Sequence, residues 1–276
     1  MKRRPGKQQK QAGFTLIELL TALGIFLIVC GAAFTLLASS QQRARTESQV
    51  LTSFQEARLA LDQIVRDVND AGYPPPSYSD GVPAHFASTP FAWSPNYTIP
   101  SPCTIGISCI TPADIDIIIE TNPNPLDPSC APNCPVQWIR YKLDTTTSTL
   151  MRGISPKQTS HDPAVDTAAT FAPLVQNVVN NASAAQIAQY QAIYPGMFPG
   201  GNPVPIFTFS CDSPAIPQSP PPPTTSCLSA GADNKPANIR DVMVTLIVAA
   251  PLPDATTGQP RLVQLVGRGR RVNPNQ

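Results

Sequence analysis

An uncharged apolar run of twenty residues, 19–38, constrains the fold of this chain more than any other feature. At a rise of about 1.5 Å per residue, an α-helix of roughly 20 residues crosses a hydrocarbon core of ~30 Å. The segment before it carries five basic residues and no acidic one: Lys2, Arg3, Arg4, Lys7 and Lys10. Because basic residues stay on the cytoplasmic side of a membrane, we expect the N-terminus in the cytoplasm and the residues after Ala38 on the far side.

The junction between Gly13 and Phe14 distinguishes this segment from an ordinary secretory signal. Such a signal carries small residues for cleavage after its apolar core, whereas here the Gly-aromatic pair precedes the core. Cleavage at this junction would therefore leave the membrane helix in the mature protein.

Glu18 places a carboxylate inside the apolar segment, one helical turn after Phe14. An ionisable side chain in a membrane helix is costly and indicates a charged partner or a pathway. A carboxylate and a freed terminal amine would each relieve the desolvation of the other. The alternative is the Glu of a plain signal anchor, whose side chain reaches into the head groups.

Residues 10–20, with the sequence Lys-Gln-Ala-Gly-Phe-Thr-Leu-Ile-Glu-Leu-Leu, resemble the class III signal of type IV prepilins and type II secretion pseudopilins. The resemblance implies that a prepilin peptidase cuts after Gly13 and that Phe14 becomes N-methylated. It also implies that Glu18 faces the terminal amine of a neighbouring subunit during assembly. The implied partners are other minor and major pilins or pseudopilins, the inner membrane and the assembly platform, and no cofactor is implied.

A second periodic segment extends the helix beyond the membrane. Apolar residues recur at alternating spacings of four and three, which is typical of a helix with one packing face: Val50, Phe54, Ala57, Leu61, Ile64, Val68 and Ala71. Residues 32–71 contain no Pro and no Gly, and Gly72 followed by Pro74 predicts the end of the helix. We expect one helix from near Phe14 to near Ala71, with its second half packed on the chain's own globular domain.

Residues 73–276 are rich in Pro and in short β-branched runs. The runs predict strands at 115–120, 136–143, 150–152, 206–209, 242–249 and 262–268, with a hairpin around 144–148 and a closing pair formed by the last two strands. A short helix is predicted at 182–194, and loop insertions are predicted at 73–110, 195–205 and 215–238. Strands that follow one long helix predict an α+β, pilin-like fold with an antiparallel sheet packed on that helix.

The predicted organisation has four parts. They are a basic leader at 1–13 that the peptidase removes, a membrane and assembly helix at 14–38, an amphipathic helix at 39–72, and a periplasmic or extracellular β-rich domain at 73–276.

Six cysteines follow the membrane helix, in a compartment where disulfides persist. Six cysteines allow 15 connectivities. Pairing by sequence neighbours would join Cys103 to Cys109, Cys130 to Cys134 and Cys211 to Cys227, so that each bond closes one loop. A zinc site is the alternative, but His85 and His161 lie near no cysteine pair in the sequence.

Charge and composition disfavour nucleic-acid binding and catalysis. Loss of the leader would leave 14 Lys and Arg (19 − 5) against 18 Asp and Glu, whereas nucleic-acid binding depends on clustered basic residues. The C-terminal region contains a basic group of four residues: Arg261, Arg268, Arg270 and Arg271. This group is interpreted either as a site of DNA capture in a competence-type minor pilin or as a solvated strand end. Asp114 and Asp116 are interpreted as solvated residues beside an apolar strand. With two His and no triad, phosphate-loop or Rossmann signature, we expect no enzyme and no metal site.

The end of the predicted helix, residues 57–73 (ARLALDQIVRDVNDAGY), is similar to that of W-type minor pilins and J-type minor pseudopilins. Major pilins are usually shorter and carry a Pro midway through the membrane helix, where this chain has Thr35. The pseudopilin at the extreme tip typically lacks the carboxylate that Glu18 supplies. The resemblance implies a minor type IV pilus subunit in the tip or initiating complex. A minor pseudopilin of type II secretion is one alternative, and a signal-anchored periplasmic binding domain is the alternative from another class.

Overall fold

The computed structural model describes residues 13, 15–78, 80–97, 103–124, 126–131, 133–212, 224–229, 234–254 and 257–271. The chain divides into two compact units, Met1–Glu47 and Ser48–Gln276.

Helix α1 spans Leu16–Asn69 and confirms the long helix that the two apolar patterns predict. It ends two residues before Ala71, and a turn follows in which Gly72 adopts a φ of 84°. This left-handed conformation favours Gly and closes many helices. Among the described residues, α1 is the one helix whose length and apolar composition suffice to cross a membrane.

The described part of the second unit contains two antiparallel sheets. The first sheet has five strands in chain order, so each strand pairs with the next. They are β1 (Phe91–Ala92), β2 (Asp116–Thr121), β3 (Gln137–Asp144), β4 (Thr149–Pro156) and β5 (Ala172–Val175). Asp144 pairs with Thr149, which confirms the predicted hairpin.

The second sheet has the order β7-β6-β8-β9. Its strands are β6 (Phe207–Asp212), β7 (Thr224–Ser226), β8 (Ile239–Pro253) and β9 (Pro260–Arg270). The long antiparallel pair of β8 and β9 confirms the predicted closing pair.

The sequence predicts one sheet, whereas the described strands form two, and several short elements lack a sequence pattern. Strands β1, β5 and β7 have two to four residues each, and β1 and β7 lie inside segments that we predicted to be loop insertions. Helix α2 (Pro163–Ala168) was also missed, whereas α3 (Ala184–Gln191) lies within the predicted helix at 182–194. Strands this short show no period of their own, because pairing with a neighbour supplies their order.

One apolar core joins the second half of α1 to both sheets. Ala57, Leu61, Ile64, Val68 and Ala71 of the predicted stripe are buried in it, together with side chains of both sheets such as Ile117, Ile139, Phe207 and Val244. Val50 and Phe54 are only half-buried. Each fully buried Leu or Ile contributes roughly 1.5–3 kcal/mol. The stripe from Ala57 onward is therefore occupied by the chain's own domain.

Two glycines of β9 allow this strand to approach α1 closely. A Cβ added at Gly269 would lie 2.5 Å from Val68 Cγ1, and a Cβ added at Gly267 would lie 2.8 Å from Leu61 Cδ1. Gly267 and Gly269 lie two apart and so share one face of the strand. The backbone amide of Arg270 donates to Asn69 Oδ1 at 2.8 Å, next to this contact.

We expect Gly269→Ala to lower the free energy of unfolding of the globular unit by about 1–3 kcal/mol, because the added methyl group overpacks Val68. Urea unfolding followed by the fluorescence of Trp93 and Trp138 would measure the change. Gly196→Ala is the matched control, since a Cβ there meets nothing within 4 Å. Equal stability of the two variants would contradict the close approach.

Candidate functional site

The predicted cleavage junction lies at the start of the described chain. Gly13 is exposed, and Phe14 lies outside the described residues. A Cβ added at Gly13 meets nothing within 4 Å. Packing against the described residues therefore does not require Gly at this position.

Glu18 and Thr15 form a capping box at the beginning of α1. Glu18 Oε2 accepts hydrogen bonds from the backbone amide and the hydroxyl of Thr15, both at 2.9 Å. The amide of Glu18 in turn donates to Thr15 Oγ1 at 3.3 Å. Thr-x-x-Glu before an apolar run is the sequence signature of a capping box, so this pair could have been predicted from the sequence. The bonds hold the carboxylate beside the helix N-terminus, where negative charge is favoured.

The first half of α1 exposes its apolar side chains. Exposed examples on all sides of the helix include Leu19, Leu20, Ile25, Ile28 and Val29. A helix that is apolar all round requires lipid or other apolar surfaces as its surroundings. This half of α1 is therefore compatible with membrane anchoring and with contacts to other apolar helices.

A polar cluster fastens the second half of α1 to the first sheet. Tyr141 Oη donates to Asp67 Oδ2 at 2.6 Å, and Arg152 donates to both partners, with Nη2 at 3.3 Å from Asp67 Oδ2 and Nε at 3.0 Å from Tyr141 Oη. Burial, followed by the charge of Asp67, raises the pKa of Tyr141, so that the phenol keeps the proton it donates. Asp67 lies within residues 57–73, the segment on which the resemblance of the helix end rests.

Asp116 corrects one interpretation from the sequence. Asp116 is buried rather than solvated, and its two carboxylate oxygens accept from Arg140 Nε at 2.8 Å and Nη2 at 2.6 Å. Burial raises the pKa of Asp116, while the hydrogen bonds and charge of Arg140 oppose the rise. Asp114 is exposed, as expected. The two carboxylates therefore do not form a catalytic pair.

A second buried ion pair anchors the segment before β1. Lys157 Nζ lies 2.5 Å from Glu120 Oε1 and also donates to Ser88 Oγ and to the carbonyl of Phe86. The Ser88 amide and the Tyr97 hydroxyl donate to Glu120 as well. Burial, together with the charge of Glu120, raises the pKa of Tyr97. Lys157 contacts Ser88 but is itself neutralised by Glu120, so the cluster lacks the free base that a Ser-Lys nucleophile requires.

Each of the C-terminal arginines pairs with an acidic partner, and Asp241 and Asp212 are each shared by two arginines. Arg268 and Arg270 lie 2.8 and 3.5 Å from the carboxylate of Asp241, and Arg261 lies 2.6 Å from Asp254. Arg271 pairs with Asp212, which also binds Arg240. Arg271 is buried, so the alternative of a solvated strand end is wrong for this residue. Pairing with carboxylates weakens the case for a DNA-binding patch.

Three disulfides close loops of the globular unit: Cys103–Cys109, Cys130–Cys134 and Cys211–Cys227. Each joins neighbours along the chain.

The histidines lie beside carboxylates. His85 Nδ1 is 2.9 Å from Asp80, and His161 Nδ1 is 3.1 Å from Asp166. Over the described ranges, no group of three or more His, Cys, Asp or Glu side chains is placed to hold a metal ion.

Residues 8–34 match the family model described as the prokaryotic N-terminal methylation motif. The matched stretch contains Gly13, Phe14 and Glu18 and ends within the first half of α1. The chain thus carries a type IV pilin-like signal. Such a signal implies processing by a prepilin peptidase and assembly with other pilins, and it suggests a structural role. No curated protein and no solved structure matches the chain.

Proposed function

We propose that this chain is a minor subunit of a type IV pilus, incorporated in the tip or initiating complex through its N-terminal helix. The observation that carries the proposal is the methylation motif at residues 8–34, which ends in a helix apolar enough for a membrane. Glu18 within this motif supports a subunit that assembles below the extreme tip.

In the proposed mechanism, prepilin peptidase removes residues 1–13 in the cytoplasm and the amine of Phe14 is methylated. The apolar helix at 14–38 holds the subunit in the inner membrane and later packs among the helices of other subunits. Glu18, aligned by Thr15, pairs with the terminal amine of a neighbour. The globular domain at 73–276 lies in the periplasm and then on the filament, and the helix at 39–72 joins it to the membrane segment.

Several features favour a minor subunit over a major one. The chain has 276 residues, and residues 32–71 contain no Pro. Asp67, which accepts hydrogen bonds from Tyr141 and Arg152, lies in the segment 57–73 that is similar to W-type minor pilins and J-type minor pseudopilins. The same similarity makes a minor pseudopilin of type II secretion the second candidate.

The cleavage step is tested by intact mass and N-terminal sequencing of the chain expressed with a prepilin peptidase. We expect a mature protein that begins at N-methylated Phe14. Gly13→Val should abolish cleavage, because we expect the peptidase to recognise the Gly, whereas a Cβ at Gly13 meets no atom of the described residues within 4 Å. Gly24→Val is the matched control, since a Cβ at Gly24 also meets nothing within 4 Å. An intact Met1 in the parent chain would instead support a signal-anchored binding domain.

Deletion of the gene separates the two filament candidates. Loss of surface pili with normal protein secretion supports the pilus subunit. Loss of secretion with normal piliation would assign the chain to a type II secretion system.

A further inference from the structure

Strand β9 is the longest edge strand of the two described sheets, with eleven residues, Pro260–Arg270. The other edge strands, β1, β5 and β7, have two, four and three residues, and β5 also contains Pro173. Shortness and Pro are two means by which proteins keep sheet edges from pairing with other chains. Neither protects the middle of β9, so this edge can accept a further strand.

The hydrogen bonds at the end of β9 show which of its backbone groups face the edge. The Arg271 amide donates to the Arg240 carbonyl of β8, whereas the Arg270 amide donates to Asn69 Oδ1 of α1 at 2.8 Å. Successive residues of an antiparallel strand direct their amides and carbonyls alternately to the two sides. The register between β8 and β9 is regular over this part of the strands. The residues in the middle of β9 whose backbone groups face the edge are therefore Gln264, Val266 and Arg268.

This part of the edge is exposed and unpaired. All three residues are exposed, and within the described part of the chain their backbone groups form no hydrogen bond on the edge side. Helix α1 packs against the inner face of β9, at Gly267 and Gly269. On the outer face, Val266 is 57% exposed. The edge thus offers three amides and three carbonyls around an exposed apolar side chain.

The exposed charge beside the edge is positive. Arg268 and Arg270 share one carboxylate, that of Asp241, at 2.8 and 3.5 Å. The side chain of Asp241 is 2% exposed, whereas those of Arg268 and Arg270 are 61% and 47% exposed. Residues 260–271 contain no Asp or Glu. A complementary strand therefore carries an acidic side chain near Arg268.

The backbone pattern favours a polypeptide over a nucleic acid. Carbonyls alternate with amides along the edge, and each carbonyl needs a donor. A phosphate backbone supplies acceptors only, so it cannot satisfy the carbonyls of Gln264, Val266 and Arg268.

A different protein fits the edge better than a second copy of this chain. Two β9 strands related by a two-fold axis would pair antiparallel through the same three residues. Helix α1 follows β9 in the same direction, from Leu61 beside Gly267 to Asn69 beside Arg270. Such a pair would set the second halves of the two α1 helices antiparallel, whereas subunits anchored in one membrane need them parallel. This preference alone rests on the proposed function.

We propose that the edge of β9 at residues 264–268 binds an extended acidic segment of a different protein by strand addition. In the added strand, an apolar side chain lies against Val266, and an Asp or Glu two residues away, on the same face, pairs with Arg268. Backbone bonds to the three edge-facing residues fix the register. The binding itself does not require that the chain is assembled in a filament.

Val266→Pro tests the backbone contribution, because it removes the amide at the middle of the edge and no hydrogen bond within the described fold. The probe is fluorescein-labelled Thr-Glu-Thr-Val-Thr-Thr-amide, whose fluorescence anisotropy is measured with the full chain in detergent after subtraction of a micelle-only blank. We expect saturable binding to the parent chain and a loss of affinity of about ten-fold or more for Val266→Pro. Val266→Thr keeps the amide and is the matched control, with binding within about two-fold of the parent chain. Tryptophan fluorescence verifies that each variant is folded.

Arg268→Glu tests the charge contribution. It should weaken binding of the same probe by about ten-fold or more, and a probe with Lys in place of Glu should restore binding to this variant. Arg58→Glu is the matched control, because Arg58 is exposed on α1.

Four outcomes would overturn the proposal. Two are the absence of saturable binding to the parent chain and equal binding to folded Val266→Pro or Arg268→Glu. A third is displacement of the probe by single-stranded oligothymidylate, which would assign the edge to nucleic acid. The fourth is self-association that Val266→Pro abolishes, without peptide binding, which would assign the edge to a second copy of this chain.

Discussion

Glu18→Ala is expected to leave the chain in the inner membrane and still cleaved, yet to lower its incorporation into filaments by about ten-fold or more. In the proposed mechanism, removal of the carboxylate would leave a neighbour's terminal amine without a partner in an apolar environment. The measurement is the ratio of this subunit in sheared filaments to that in membranes, determined by quantitative immunoblotting. Glu56→Ala, which removes an exposed acid from the same helix, is the matched control.

The capping box supplies a competing explanation that can be tested separately. If Glu18 acts only as the cap of α1, then Thr15→Ala should cause the same loss, because it removes the hydroxyl that bonds to Glu18 Oε2 and accepts from the Glu18 amide. Pairing with an amine instead predicts that Thr15→Ala retains most of the incorporation, since the carboxylate remains. Normal incorporation of Glu18→Ala would contradict a role of Glu18 in assembly, whether as a partner of the amine or as the cap of α1.

Lys157→Met is expected to destabilise the globular unit by about 3–5 kcal/mol, because it leaves the fully buried carboxylate of Glu120 without its cation. The free energy of unfolding would be measured in urea through Trp93 and Trp138, the latter packed edge-on against Tyr97 of the same cluster. Lys142→Met provides the matched control, since Lys142 is half-buried on the neighbouring strand β3.

A double variant distinguishes loss of the ion pair from loss of packing. Glu120→Gln with Lys157→Met removes both charges, and we expect it to be more stable than Lys157→Met alone, because an unpaired buried charge costs more than a neutral polar group. A double variant that is no more stable than the single one would show that the ion pair is not the source of the effect.

The sequence predicted the elements whose pattern is local and long. Helix α1, the β3–β4 hairpin and the β8–β9 pair each contain enough residues for a period of 3.6 or 2 to be visible. Strand β5, with the sequence Ala-Pro-Leu-Val, has no such period and is defined by its bonds to β4. The capping box of Thr15 and Glu18 was visible in the sequence, but the membrane interpretation of Glu18 obscured it.

The burial and pairing of charged residues also could not be predicted from the sequence. The sequence pattern favours a solvated Asp116 and gives no sign of burial at Glu120 or Arg271, whereas the structure buries each of them against a charged partner. Asp116 and Arg140 lie 24 residues apart, and Glu120 and Lys157 lie 37 apart. No local pattern links residues so distant, because the strand register brings them together.

By itself, the sequence determined the signal at Gly13 and Phe14, the apolar helix that follows, and the α+β class. These depend on the order of residues within one segment and on the spacing of apolar positions along it. Only the tertiary structure decided that the strands form two sheets, that the stripe from Ala57 to Ala71 is buried in the chain's own core, and that the C-terminal arginines pair with carboxylates. Those features depend on which distant segments meet, and burial and pairing across the fold, rather than local spacing, set that choice.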